Sequence, residues 1–151
     1  MKLNELANEL LCAIEEIPHN TPAKTINDFS KGEVFLLNYL LISNGYALPG
    51  QMSEAMGTST ARIAAAVNSM ERKGWVIRRK DMDDHRKTNV YITPKGAAYA
   101  KSCRESILEG LKKLLLELGE QDAAEYLRIT KRVASIAGQH NSQLFEGRKL
   151  L

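Results

Sequence analysis

Cysteine, aromatic residues and long apolar runs are all scarce in this sequence, and each shortage closes off a class of protein. The two cysteines, Cys12 and Cys103, lie too far apart for a close-spaced metal motif and are too few for a disulfide framework. Both are expected as free thiols. Aromatics make up 6% of the chain, too little for an extensive surface on which single-stranded bases stack. No apolar run approaches the roughly 20 residues of a membrane span. Glu5 and Glu9 interrupt the N-terminal stretch where a secretory signal needs an apolar core. The expectation is a cytoplasmic protein without a membrane partner.

The residues of catalysis are missing in the same way. His19, His85 and His140 are scattered, and no His-Glu-x-x-His pair, phosphate-cradling Gly-rich loop or Gly-x-Ser-x-Gly elbow occurs. The neighbouring Asp83 and Asp84 fall in a charged turn, where water keeps both ionised and no burial shifts a pKa for acid–base work. The chain is expected to be no enzyme, with no cofactor and no metal.

What is present is a particular placement of charge. The net charge is only +3 over 151 residues. From Thr60 to Arg104, however, eleven Lys and Arg face four acids, whereas from Met1 to Glu33 three Lys face six acids. Positive charge concentrated in mid-chain is the footprint expected of phosphate binding.

The length favours a single domain over 1–151. Leu3, Leu6, Leu10, Ile14 and Ile17 recur at helical spacing before Pro18 and Pro22 bracket a loop. Ser30 and Glu33 form a capping box for a second helix carrying Val34, Leu37, Leu40 and Leu41, which stops near Asn44-Gly45. Pro49-Gly50 opens a short third helix, ended by Gly57. Thr58 or Ser59 caps a fourth, whose buried stripe is Ile63, Val67 and Met70. Gly74 closes it, and the period then changes. Trp75–Lys80 and Thr88–Thr93 read as two strands of a hairpin around the charged tip Asp81–Lys87. Thr93-Pro94 starts a long helix bearing Leu108, Leu111, Leu114, Leu115 and Leu118. Gly119 breaks it, and a last helix carries Ala123, Leu127, Val133 and Ile136.

Helix, short helix, turn, helix and hairpin are the order of a winged helix-turn-helix, so the fold class is mainly α (α+β). Residues 30–96 form the DNA-binding part. A helix matches the width of the B-DNA major groove. With Ile63, Val67 and Met70 turned inward, Thr60, Ala61, Arg62, Ala65, Asn68 and Ser69 are left outward, beside Ser59 at the cap. This small, polar face admits close approach to DNA. Arg62 suits guanine and Asn68 suits adenine. On the hairpin, Arg79, Arg86 and Lys87 meet phosphate or the minor groove, with Asp84 fixing Arg86 by a charge-assisted hydrogen bond. The competing reading is a winged-helix module that binds protein; the basic residues kept along the hairpin argue against it.

The stretch Met70–Gly96, MERKGWVIRRKDMDDHRKTNVYITPKG, resembles the multiple-antibiotic-resistance regulator (MarR) family. Asp81, Asp84, Arg86, Val90, Thr93 and Gly96 stand at the family's spacing, while His85 replaces the usual first Arg of an Arg pair and Ile92 replaces a Leu. His85 brings a group whose charge depends on pH. The resemblance implies a double-stranded DNA-binding regulator, usually a repressor, that acts as a homodimer on a pseudo-palindromic operator. It implies that the first and last helices of two subunits interleave, making 1–29 and 97–151 the dimerisation helices, which accounts for apolar chain ends with little core of their own. It also implies a small phenolic or carboxylate effector, for which His19, Tyr39 and Tyr46 are the candidate lining. Cys12 lies where the hydroperoxide-sensing members carry a reactive thiol. Glu9, Glu15 and Glu16 oppose thiolate formation there, and burial as a structural residue is the expected state. Cys103, beside Lys101 and Arg104, is expected to pack.

Overall fold

The computed structural model describes residues 2–19, 21 and 32–147, with side chains described through residue 139. The chain divides into two compact units, residues 1–110 and 111–151.

In the first unit, helix α1 spans Leu3–Glu16 and buries none of its residues. Leu3, Leu6, Leu10 and Ile14 are exposed, at 80%, 51%, 60% and 46%. The predicted apolar stripe exists, but nothing among the described residues buries it. Ser30 of the predicted capping box lies outside the described residues.

Helix α2, Gly32–Ile42, supplies the centre of the core with Leu36, Leu37 and Leu40. Leu41 is exposed, whereas Leu36, not named from the sequence, is buried. The reason is geometric: adjacent helix residues point about 100° apart, so burying Leu36, Leu37 and Leu40 on one arc turns Leu41 away. Asn44 and Gly45 then take left-handed conformations (φ 61° and 90°), and the Gly45 N–H bonds back to the Leu40 carbonyl at 2.8 Å. This ending releases a strand that the sequence reading did not foresee, β1 at Tyr46–Ala47.

Helix α3 runs Pro49–Met56, with proline in its first turn and Gly57 at φ 65° behind it. Helix α4 runs Thr60–Arg72. Ser59 Oγ accepts the Arg62 N–H at 3.3 Å, the expected cap. Ile63, Val67 and Met70 are its buried residues, as its periodicity predicts. Strands β2 (Val76–Lys80) and β3 (Thr88–Ile92) make the hairpin, and β1 adds to β3, so the antiparallel sheet has the order β1-β3-β2. The register pairs Arg78 with Val90 and Tyr46 with Tyr91. Val76, Val90 and Ala47 turn inward onto the helical core.

Helix α5 spans Pro94–Gly147. Thr93 Oγ1 accepts the Gly96 N–H at 3.1 Å and donates to the Gly74 carbonyl at 2.6 Å, so one hydroxyl caps the helix and ties it to the root of the hairpin. Gly96 is buried against the Trp75 backbone so closely that a methyl group there would overlap the Trp75 carbonyl.

The second unit is wholly helical over its described residues, with one interruption at Gly119 (φ 78°, ψ 168°), where the break was expected. Leu116, Leu127, Val133 and Ile136 are exposed, at 81%, 53%, 59% and 46%.

Candidate nucleic-acid interface

Helix α4 places its side chains on three faces. The buried stripe holds it to α2 and the sheet. Opposite the stripe, Ala61, Ala64, Ala65, Asn68 and Arg72 are all exposed. Stepping 100° per residue from Ile63 and Val67 sets Ala61, Ala65, Asn68 and Arg72 farthest from the core. Ala64 and Arg72 were not singled out from the sequence, although the period that found Ala61 and Ala65 also selects Arg72. Three alanines let the backbone of this face approach a partner closely.

The flanks are occupied. Ser69, expected outward, is half-buried on the side of Glu33 at the start of α2. It stands about 60° round from Arg72 on the α2 side, within reach of that carboxylate. Partial burial pushes the Glu33 carboxyl up, but hydrogen bonds from Lys73 and Ser69 and the charges of Lys73 and Arg72 outweigh it and hold the group below its ordinary value. Lys73 Nζ lies 2.6 Å from Glu33 Oε2. Ser59, Thr60 and Arg62 are exposed at the front of α4. Arg62 also forms a wall of a groove of about 490 Å³ shared with Gly32, Met56, Gly57, Thr58, Ala65 and Ala66.

On the opposite flank Arg78 reaches across from β2. Its Nη1 donates to Glu71 Oε2 and its Nη2 donates to Asn68 Oδ1 at 2.6 Å. Nothing in the sequence pattern pairs these residues, because the contact joins a helix to a strand through their packing.

The hairpin tip is built around Asp81. Its Oδ1 accepts the backbone N–H groups of Asp83 and Asp84 at 2.9 and 3.0 Å, and its Oδ2 accepts from Asn89 Nδ2 at 2.9 Å. Two backbone bonds, Asp81 N–H to Lys87 O and Lys87 N–H to Asp84 O, both 2.9 Å, close the turn. Asp84 grips Arg86 as expected. Its Oδ1 accepts from Arg86 Nε at 3.0 Å and from the Arg86 backbone N–H at 3.1 Å, and Oδ2 accepts from Nη2 at 3.3 Å. Those hydrogen bonds, the guanidinium's first, hold the Asp84 carboxyl below its ordinary value. The Arg86 side chain is nevertheless 91% exposed, so it is aimed without being covered. Arg79, His85 and Lys87 are exposed around it.

The effector candidates stand apart from the groove beside α4. Tyr39 packs against the core, Tyr46 stacks on Tyr91 with ring centroids 5.1 Å apart, and His19 is exposed just beyond α1. None of the three lines the groove beside α4. Cys12, expected to be buried, is exposed in the single chain because α1 has no covered face. Cys103 is half-buried. Among the described residues no cluster of His, Cys, Asp and Glu has the makings of a metal site, and no helix is long and apolar enough to cross a membrane.

An exposed helix presented over a turn, with a basic hairpin beside it, defines a winged helix-turn-helix. Residues 28–87 match the MarR family model. Solved structures share the fold. The YusO protein from Bacillus subtilis is 15% identical, with 89% of this chain and 99% of that one covered and a TM-score of 0.69. Wild-type MarR from E. coli, in its apo form, is 20% identical, with 67% and 74% covered and a TM-score of 0.60. A mutant MarR from E. coli complexed with operator DNA is also 20% identical, with 67% and 72% covered and a TM-score of 0.55. No curated protein sequence compared with the chain matches it.

Proposed function

We propose that this chain is a duplex-DNA-binding transcriptional regulator, a repressor that acts as a homodimer on a pseudo-palindromic operator in the cytoplasm. The observation that carries the reading is the pairing of two elements. The outer face of α4 is small and polar enough to enter a major groove, and next to it Asp84 aims an exposed Arg86 from the hairpin tip. Ser59, Thr60, Ala61, Arg62, Ala65 and Asn68 are the groove-facing set. Arg79, Arg86 and Lys87 contact the backbone or the adjacent minor groove. The operator-bound MarR of the same fold supports the assignment.

The dimer is inferred from unpaired apolar surface. Leu3, Leu6, Leu10 and Ile14 form one stripe along α1 and are all exposed. Transferring such a stripe from water to a partner yields about 25 cal/mol per Å² of apolar area. A second copy of the chain supplies an equivalent stripe, and a twofold dimer presents two α4 helices to one side of a duplex. Effector control completes the reading: a small phenolic or carboxylate compound in the groove beside α4 engages Arg62 and withdraws it from the operator.

Selection from random duplex DNA tests the function. The expected product is a site with twofold symmetry and half-sites about one helical turn, roughly 10 base pairs, apart. Failure to enrich any duplex refutes DNA reading, and enrichment of sites without twofold symmetry refutes the dimer mechanism.

A further inference from the structure

A free asparagine amide matches adenine, because it donates to N7 and accepts from the N6 amino group. Asn68 is not free. Arg78 Nη2 donates to its Oδ1 at 2.6 Å, and Arg78 is itself anchored through Nη1 by Glu71 one turn-edge further along α4. A guanidinium has donors and no acceptor, so this contact fixes the orientation of the amide: Oδ1 faces β2 and Nδ2 faces away from Arg78. The second lone pair of Oδ1 lies in the field of the guanidinium, which repels the partly positive amino group of adenine or cytosine. The two hydrogens of Nδ2 stay available on an exposed helix face. Arg78 has five N–H groups, more than Glu71 and Asn68 use. To a base edge this cluster offers donors.

We propose that Arg78 is a positioning residue for base selection: by capturing Asn68 Oδ1 it converts Asn68 into a hydrogen-bond donor, so that the base Asn68 meets in the operator is one with an acceptor edge, guanine foremost through O6 and N7, and not adenine. This rests on the duplex-DNA reading proposed above. It goes beyond that reading by reversing the base that an asparagine on a recognition helix would otherwise choose.

The test compares the duplexes selected from a random pool by the full-length wild type, Asn68→Ala, Arg78→Met and Glu71→Gln. The step at which Asn68→Ala erases a preference is the step Asn68 reads. Wild type is expected to hold a G·C pair there, and Arg78→Met is expected to move the preference toward an A·T pair by about tenfold. Glu71→Gln, which keeps Arg78 but loosens its anchor, is expected to move it part of the way. A structural role for Arg78 would lower affinity at every step alike and leave the preferred base unchanged. An A·T pair in the wild-type site at that step overturns the proposal, as does an Asn68→Ala site that matches wild type at every step. If Arg78→Met does not fold, an unaltered preference in Glu71→Gln overturns it equally. Should wild type enrich no duplex at all, the DNA reading itself has failed, an outcome distinct from all of these.

Discussion

Asp81 and Asn89 bind each other across the base of the hairpin tip: the carboxylate Oδ2 accepts from Asn89 Nδ2 at 2.9 Å, and Asn89 is buried. The backbone N–H of Asp84, then the Asn89 amide, then the backbone N–H of Asp83 hold the Asp81 carboxyl below its ordinary value. A carboxyl depressed by folding favours the folded tip in its ionised form. Its contribution is complete above the ordinary carboxylate range and is lost as pH falls through the depressed value. The Asn89 side-chain amide resonance should therefore stay fixed between about pH 7 and 5 and move only below about pH 4. In Asp81→Ala it should be displaced already at neutral pH, while resonances of Val67 and Leu37 stay in place. An amide that titrates near pH 6 would contradict this account.

Arg86→Ala should weaken binding to operator and to unrelated duplex by similar factors, since its contact is with backbone or groove shape. The slope of log affinity against log salt should fall by about one for one lost phosphate contact. Asp84→Ala leaves the charge but frees the side chain, so the slope should change less while affinity still drops. If neither variant alters affinity or slope, the hairpin is not a DNA contact.

Arg62→Ala should behave in the opposite way. A base contact is worth about 1–3 kcal/mol at the cognate site, and random duplex should register much less of that loss. Titration of both duplexes by fluorescence anisotropy measures the difference. Equal losses would remove Arg62 from the reading face.

Leu10→Glu places a charge in the middle of the exposed α1 stripe, where Leu10 is 60% exposed in the single chain and nothing of its own fold is disturbed. Light scattering at micromolar concentration should give twice the subunit mass for wild type and the subunit mass for the variant. A wild type with the mass of one chain would end the dimer reading.

Gly96→Ala should lower the melting temperature although it adds a single methyl group in the first turn of a helix. The added carbon meets the Trp75 carbonyl, which is backbone and cannot rotate away. Overpacking of this kind costs about 1–3 kcal/mol. Gly50→Ala, also in a first helical turn but with open space around it, is the matched control and should leave the melting temperature nearly unchanged.

Most of the winged-helix part could be read from local signals. Ile63, Val67 and Met70 repeat at the helical period, Gly57 and Gly74 stop helices, and Thr93-Pro94 starts one; each depends on neighbours in sequence. The grip of Asp84 on Arg86 was legible for the same reason, since two residues in one tight turn can hardly avoid each other. What stayed hidden depends on distant partners. Tyr46–Ala47 is too short to show a strand period and becomes a strand only because β3 pairs with it. Ser69 looks like an outward serine until Glu33 is brought beside it. The hold of Arg78 on Asn68 needs the angle between a helix and a sheet, which no spacing encodes.

The chain has a single tryptophan, and its position gives that indole an unplanned use. Trp75 lies flat against Tyr99 of α5, with ring centroids 4.0 Å apart and planes 14° from parallel, and the Lys73 ammonium stands 4.7 Å from the ring centre. The end of α4, the root of the hairpin and the second turn of α5 thus converge on one fluorophore. A cation near an indole shifts the colour of its emission, and a stacked phenol alters its yield. The molecule accordingly carries its own optical gauge at the joint between reading helix and wing. A variant that moves Lys73 away from the indole should register in the protein's native fluorescence, without a dye.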